Sequence, residues 1–290
     1  MSTRIALIGP GRLGQAVGRL LADAGHEFSA VVSRDLARAR AAARFIGNPQ
    51  AGTTDLTKVK DAEMVFLALP DDDIAPMAAR LRQGALVRPG TILVHFSGIH
   101  DSSILLGEEG TPVQGLAIHP MQSFADAVIG MRNLPGSLFA IEGDASLIPL
   151  ARALVDDMGG LPFILTREQK PLYHAAACTA SNFLVALVAT AGEMLSHCGI
   201  DAKDAGRLFA PLLNGTVKNL SALGPQTALT GPIVRGDILT VEKHLAALEA
   251  LPADLGRIYR LMGGKTVDVA EESGRLDADK AAILRDLLQK

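Results

Sequence analysis

Short apolar runs alternate with amphipathic stretches through the first half of the chain. The runs Arg4–Ile8, Phe28–Val32, Met64–Leu69, Thr91–Phe96, Gln114–Ile118, Leu138–Ile141 and Leu161–Leu165 have the length and composition of strands. Between them, Leu13–Ala24, Leu36–Phe45, Ile74–Gln83 and Leu147–Met158 carry apolar residues at helical spacing. This alternation predicts a mostly parallel sheet covered on both faces, and the unbroken apolar character of the early runs agrees with strands buried on both sides. After Leu165 the texture changes. Lys170–Cys198 reads as one long helix with Pro171 in its first turn, followed by helical patterns at Ala202–Leu213, Thr240–Leu248, Asp254–Met262 and Ala278–Leu288. The predicted organisation is a sheet domain over residues 1–165 and an all-α domain over residues 166–290.

Composition narrows the partners. Of 290 residues, 48% are hydrophobic and 20% charged, which suffices for a sizeable core and excludes disorder as the main state. Aromatics are only 4%, with no Trp, so a stacking platform for single-stranded nucleic acid is not expected. The net charge of −3 does not suit a polyanion partner either. Cys178 and Cys198 fall in the same predicted helix, about 30 Å apart, too far for a disulfide and in keeping with a reducing cytoplasm. No signal segment is evident before Ile5. Ala175–Gly192 is uncharged and long enough to raise the question of a membrane span, but it is rich in Ala and interrupted by Cys178, Thr179, Ser181, Asn182 and Thr190. It is expected to be a helix buried inside a protein domain, with no membrane partner.

The strongest local motif is Gly9-Pro10-Gly11-Arg12-Leu13-Gly14, which links the first strand to the first helix. In this context Gly9 permits a tight turn, Gly11 lets the backbone approach a pyrophosphate, and Gly14 lets helix pack on strand. The expectation is a Rossmann-type doubly wound parallel sheet that binds a dinucleotide at a helix N-terminus. An NAD site would place an acidic residue at the end of the second strand, whereas this chain has Ser33 and Arg34. A hydroxyl and a guanidinium suit a 2′-phosphate, so NADP(H) is the expected cofactor, with Arg38 as a second cation. Asp35 falls one step late and is read as the cap of the next helix. Beyond the carboxyl ends of later strands, Leu69, Pro70, Ser97 and Gly98 are assigned to the cofactor, and Ser97 and His119 to the substrate. Asp72 and Asp73 read as helix-capping residues, and His95 as a satisfied buried histidine.

On the long helix, Lys170, His174 and Cys178 recur every four residues, His174 and Ser181 are seven apart, and Asn182 lies one step round. A carbonyl or imine that accepts hydride needs a proton donor, and His174 is the first candidate with Lys170 second. Asn182 is assigned to orienting the substrate oxygen, and Ser181 to substrate binding. Further on, Thr230–Asp237 forms a constrained turn with Asp237 as the expected N-cap of the next helix. Arg235 is read as a grip for a substrate carboxylate, or as a salt bridge that holds the turn. Lys243 and His244 complete the substrate-binding candidates.

Taken together, these segments resemble a bacterial family with a Rossmann-like NADP-binding domain followed by a C-terminal domain of unknown function. The resemblance rests on the glycine motif, His95–Gly98, His119–Phe124, Tyr173–Ala177 through Ser181–Phe183, and Thr230–Leu245. The layout is similar to pyrroline-5-carboxylate reductase, ketopantoate reductase, the β-hydroxyacid dehydrogenases and the deazaflavin-dependent NADP oxidoreductases. It implies a nicotinamide-dependent redox enzyme with its active site in an interdomain cleft and a helical domain that forms a homodimer. The ketopantoate reductases and β-hydroxyacid dehydrogenases carry a Lys on this helix with Asn four residues later. Here His174 stands four residues after Lys170, so that pair is not reproduced. The expected activity is hydride transfer to a small 2-oxo acid, ketopantoate-like, or to a cyclic imino acid, with no metal. Two alternatives are a non-catalytic NADP-binding regulatory protein and a deazaflavin-dependent oxidoreductase.

Overall fold

A computed structural model describes residues 2–107 and 112–290. The chain forms two compact units, one ending at Ser181 and the other beginning at Asn182. The sheet itself closes at Ile164, and the helix from Lys170 to Ala180 belongs to the first unit.

The first unit holds strands β1 (Arg4–Ile8), β2 (Glu27–Val32), β3 (Gly52–Thr53), β4 (Met64–Leu67), β5 (Ile92–His95), β6 (Gln114–Pro120), β7 (Leu138–Gly143) and β8 (Leu161–Ile164). Their order is β3-β2-β1-β4-β5-β6-β7-β8. Every neighbouring pair is parallel except β6 and β7. All seven predicted strands are present, and β3 adds a two-residue edge. Helices α1 (Arg12–Asp23), α2 (Leu36–Ile46), α3 (Asp71–Gln83), α4 (Ala127–Asn133), α5 (Ile148–Asp157) and α6 (Lys170–Ala180) complete the unit.

The alternating side chains of the central strands feed two separate cores. Ile5, Leu7, Met64 and Phe66 pack with Ala16, Ala42 and Leu154 of α1, α2 and α5. Ala6, Ile8, Val65 and Leu67 pack with Ile74, Ala78 and Leu81 of α3. Each fully buried Leu, Ile or Phe stabilises such a layer by roughly 1.5–3 kcal/mol. Because β1 and β4 are neighbours while the chain moves off in opposite directions from them, their carboxyl ends flank a switch-point crevice.

The second unit contains α7 (Asn182–Ser196), α8 (Ala205–Ala228), α9 (Pro232–Arg235), α10 (Ile238–Leu248), α11 (Ala253–Glu272) and α12 (Ala278–Gln289). Its core gathers Val241, Leu245, Val267, Ala270, Ala281 and Leu284. The single helix predicted over 170–198 is broken at Ser181, whose φ of −114° and ψ of −67° leave the helical ladder. Helix α8 runs well past the predicted end at Leu213 and kinks at Gly224, where φ is 73° and the following Pro225 has no N–H to continue the ladder.

Burial along the 170–198 segment also departs from expectation. Leu172, Phe183 and Val185 are 77%, 57% and 70% exposed, and α8 leaves Leu212, Val217 and Leu223 open as well. A single chain therefore does not enclose this segment. By length and composition alone, residues 167–196 are long and apolar enough to cross a membrane.

Candidate functional site

The glycine loop has the geometry its sequence predicts. Gly9 has a φ of +82°, and a Cβ there would stand 2.5 Å from Leu69 Cδ2 and 2.6 Å from the Ala68 carbonyl oxygen. A Cβ on Gly14 would lie 2.9 Å from Ala68 Cβ, so its absence brings α1 against β4. A Cβ on Gly11 would meet only the Gly9 carbonyl oxygen, at 3.9 Å, which leaves that side open to a ligand. Gly11 is also the N-cap of α1, and no side chain caps the first-turn amides. A cavity of about 180 Å³ opens beside this helix end, walled in part by Gly11, Arg12, Leu69, Asp71, Phe96 and Ser97. A tight turn, an open glycine face and an uncapped, dipole-positive helix end fit a dinucleotide pyrophosphate. Pro10 and Leu13 complete the loop, with the Pro10 carbonyl accepting from Gln15 Nε2 at 3.0 Å.

At the end of β2, Asp35 accepts from the Arg38 amide at 2.7 Å and caps α2, as expected. The Ser33 hydroxyl accepts weakly from the Asp35 amide at 3.3 Å. Arg34 and Arg38 are exposed beside it. Among the described residues neither forms an ion pair. Pro70 stands at the N-cap of α3, and Asp71, Asp72 and Asp73 occupy its first turn, where the helix dipole favours carboxylates.

A cluster of titratable groups lies beyond the ends of β5 and β6. His95 is fully buried, accepting the Ser97 amide at Nδ1 (3.1 Å) and donating from Nε2 to the Asp101 carbonyl (3.1 Å). These partners make it a neutral ring, and burial pushes its pKa down to about 4. The Ser97 hydroxyl accepts the amides of Ile99 (3.3 Å) and His100 (3.1 Å), which shapes the turn after β5. The Ser97 carbonyl accepts Lys170 Nζ at 3.1 Å. Lys170 has no exposed surface, and burial pulls its pKa down to about 8 against the opposing pull of Glu142, Asp101 and Asp71. Glu142 is itself held by the amide of Ser102 at 2.6 Å and its hydroxyl at 3.1 Å.

Tyr173 and His174 follow Lys170 on the same face of α6. His119 Nδ1 lies 3.0 Å from the Tyr173 hydroxyl. The His119 ring stands perpendicular to both the Tyr173 ring (5.6 Å) and the His174 ring (5.5 Å). Burial, then the proximity of His174 and Lys170, holds the His119 pKa down to about 4, while burial raises that of Tyr173 to about 12. His174 Nε2 lies 3.6 Å from Cys178 Sγ, and its Nδ1 is enclosed without a partner. Gly98 makes room for this ring, since a Cβ there would sit 2.2 Å from His174 Nδ1. Tyr173 was not among the sequence candidates. The signal was its position three residues after Lys170, which puts both on one helical face.

Of the polar stripe expected at Lys170, His174, Ser181 and Asn182, the structure brings Lys170 and His174 together, with Cys178 beside His174 and with Ser97, Gly98 and His119 facing them. Ser181 and Asn182 stand exposed at the helix break. In the second unit, Arg235 is paired with Asp237 at 2.7 Å. Asp237 takes the expected N-cap position of α10, but its carboxylate pairs with Arg235 and caps no amide. Lys243 is exposed. His244 Nδ1 lies 2.8 Å from the Tyr259 hydroxyl, beside a mostly apolar cavity of about 360 Å³. No group of three potential metal ligands occurs among the described residues.

Comparison with known proteins follows the same two-part division. Residues 2–120 match the family model of a Rossmann-like domain, and residues 137–266 match that of a domain of unknown function, DUF2520. A protein of Thermotoga maritima is 27% identical, with 92% of this chain and 99% of that one covered and a TM-score of 0.72. A Bacteroides fragilis protein proposed to be an NADP oxidoreductase is 26% identical, with 93% and 98% covered and a TM-score of 0.71. The reductive aminase of Aspergillus terreus, solved with NADPH and ethyl-5-oxohexanoate, is 18% identical over 100% of this chain and 93% of its own. Its TM-score is 0.58, a likeness of fold alone. A search of curated proteins finds no match.

Proposed function

We propose that this chain, a Rossmann-like domain joined to the DUF2520 domain, is an NADP(H)-dependent oxidoreductase that reduces a small carbonyl or imine compound. A 2-oxo acid or a cyclic imino acid is the substrate class we favour. One residue carries the reading. Ser97 walls the cavity beside Gly11 and, through its carbonyl, holds Lys170 of the titratable cluster. A dinucleotide cradle and a proton-bearing cluster therefore share a wall, as hydride addition followed by protonation requires. The name of the Bacteroides fragilis relative supports the cofactor.

In this reading the amides at the start of α1 and the Arg12 guanidinium hold the pyrophosphate, and Ser33, Arg34 and Arg38 hold the 2′-phosphate. NADPH, when bound, supplies hydride. The cluster of His119, Lys170, Tyr173 and His174 binds the accepting oxygen or nitrogen and supplies the proton. A pKa near 8 leaves Lys170 mostly charged at neutral pH yet able to exchange its proton.

We also propose that two copies associate through the apolar faces of α7 and α8. The exposure of Phe183, Val185, Leu212, Val217 and Leu223 supports this, because large apolar side chains exposed in such number along two helices are usually covered in water-soluble proteins. The free thiols of Cys178 and Cys198 are in keeping with the cytoplasm.

The test is NADPH oxidation over a panel of oxo and imino acids, with His174→Ala and Lys170→Met alongside. Turnover that collapses in both variants while NADPH still binds is the expected result. A protein that binds NADPH but turns over nothing in the panel is a nucleotide-binding protein, and the reductase reading fails.

A further inference from the structure

We propose that His119 meets the reacting oxygen or nitrogen of the substrate as a neutral hydrogen-bond donor, and that Tyr173 is the residue that positions it for this task; the inference rests on the reductase reading above.

The three basic groups of the cluster differ in what they can offer. Lys170 has no exposed surface, and its Nζ is committed to the Ser97 carbonyl. His174 has Nδ1 shut in against Gly98 and Nε2 facing Cys178 Sγ at 3.6 Å. His119 uses Nδ1 for the Tyr173 hydroxyl at 3.0 Å. Its Nε2 has no partner among the described residues and, unlike His174 Nδ1, is not enclosed. Of the three, His119 alone presents an uncommitted nitrogen that is not fully closed off.

The direction of the Tyr173 contact decides what that nitrogen carries. A phenol is a stronger acid than a neutral imidazole N–H, and an imidazole nitrogen is a better acceptor than a phenol oxygen. The Tyr173 hydroxyl therefore donates to Nδ1, and the one proton of the neutral ring sits on Nε2. Burial works the same way on both partners, keeping the phenol protonated and the imidazole uncharged at neutral pH. The nearby His174 and Lys170 further oppose a second proton, as does His95, with Asp71 pulling the other way.

A neutral Nε2–H can polarise a carbonyl or imine without giving up its proton, a role neutral imidazole plays elsewhere in enzyme sites. The carbon takes hydride from the nicotinamide, and the proton on the product comes from the Lys170 ammonium by way of water, since Lys170 itself has no exposed surface. His119 ends the step as it began.

Two measurements test this on the full chain. In ¹⁵N-imidazole NMR, His119 should show Nδ1 as an unprotonated acceptor and Nε2 protonated at neutral pH, and Tyr173→Phe should shift it toward a mixture of tautomers. A proton on Nδ1, or a charged ring at neutral pH, overturns the proposal. With the substrate found in the panel, His119→Ala should lower kcat by about 10²–10³-fold, and Tyr173→Phe by about 10-fold, with NADPH affinity unchanged. His119→Gln, which keeps a neutral donor, should recover part of the loss. An active protein whose kcat is indifferent to His119→Ala, or in which Gln is no better than Ala, sinks this inference and leaves the reductase reading standing. A protein that binds NADPH and turns over nothing ends both.

Discussion

Replacing Gly98 with Ala asks whether the turn after β5 is shaped by the ring that packs on it. The backbone at residue 98 is not in the left-handed region, so an Ala costs nothing in φ and its effect must come from contact. The added methyl would lie 2.2 Å from His174 Nδ1 and 2.9 Å from both Cε1 and Cγ. Ordinary contact begins near 3.4 Å, so the imidazole must withdraw by more than 1 Å or the turn must move. Neither is easy, because the Ser97 carbonyl is tied to Lys170 and the His174 ring stands against His119. Overpacking of this kind costs about 1–3 kcal/mol. For a unit of this size that lowers the midpoint of thermal unfolding by roughly 3–10 °C. The informative assay is a double-mutant cycle on denaturant midpoints with His174→Ala. Once the ring is gone the methyl has room, so Gly98→Ala should cost little in that background, and the coupling should be nearly the whole single-mutant loss. If Gly98→Ala costs the same with and without His174, the ring does not occupy the space, and the account of the turn is wrong.

Other expectations follow from the same groups. His95 and His119 are held neutral near pKa 4 against an ordinary 6.5, so between those values the unfolded chain binds more protons than the native one. Stability should fall as pH drops through that window, by up to about 3 kcal/mol for the fully buried His95, and denaturant midpoints that stay flat there would contradict the neutral assignment. Arg34→Ala should weaken NADPH binding by about 10–100-fold, the worth of a charge-assisted contact, and leave NADH almost unchanged; equal affinity for the two cofactors in the intact chain would remove Ser33 and Arg34 from the site. Sedimentation should show twice the 30.4 kDa chain mass, and Val185→Glu with Leu212→Glu should yield monomers; a native monomer, or protein recovered only with detergent, would refute the paired α7–α8 faces.

What the sequence makes legible depends on how local the cause is. The glycine loop can be read because each glycine serves a backbone constraint set within a few residues or by the adjoining strand. The central strands can be read because burial on both faces leaves no polar position to confuse the run. Strand β3 cannot, since two residues carry no alternation. Helix α4 is hidden by Gly130, which looks like a break but leaves space for Phe124, whose Cδ1 would be 2.5 Å from a Cβ there. Tertiary packing overrides helix propensity at that position. Hydropathy reports that residues 170–198 are apolar but not what covers them, so the expected burial fails in a single chain.

The cluster on α6 marks the limit most clearly. A four-residue spacing nominates Lys170 and His174, and nothing more local can rank them. Their roles depend on contacts that cross long stretches of sequence. Ser97 and Lys170 are 73 residues apart, and His119 and Tyr173 are 54 apart. Periodicity can say which side chains share a face. It cannot say that one imidazole on that face will be closed off by a glycine while a third ring, on a strand, keeps a nitrogen free. That is why Tyr173, silent in a pattern search for acids and bases, becomes informative only once its hydroxyl is seen to occupy Nδ1 of His119, which leaves Nε2 as that ring's remaining nitrogen.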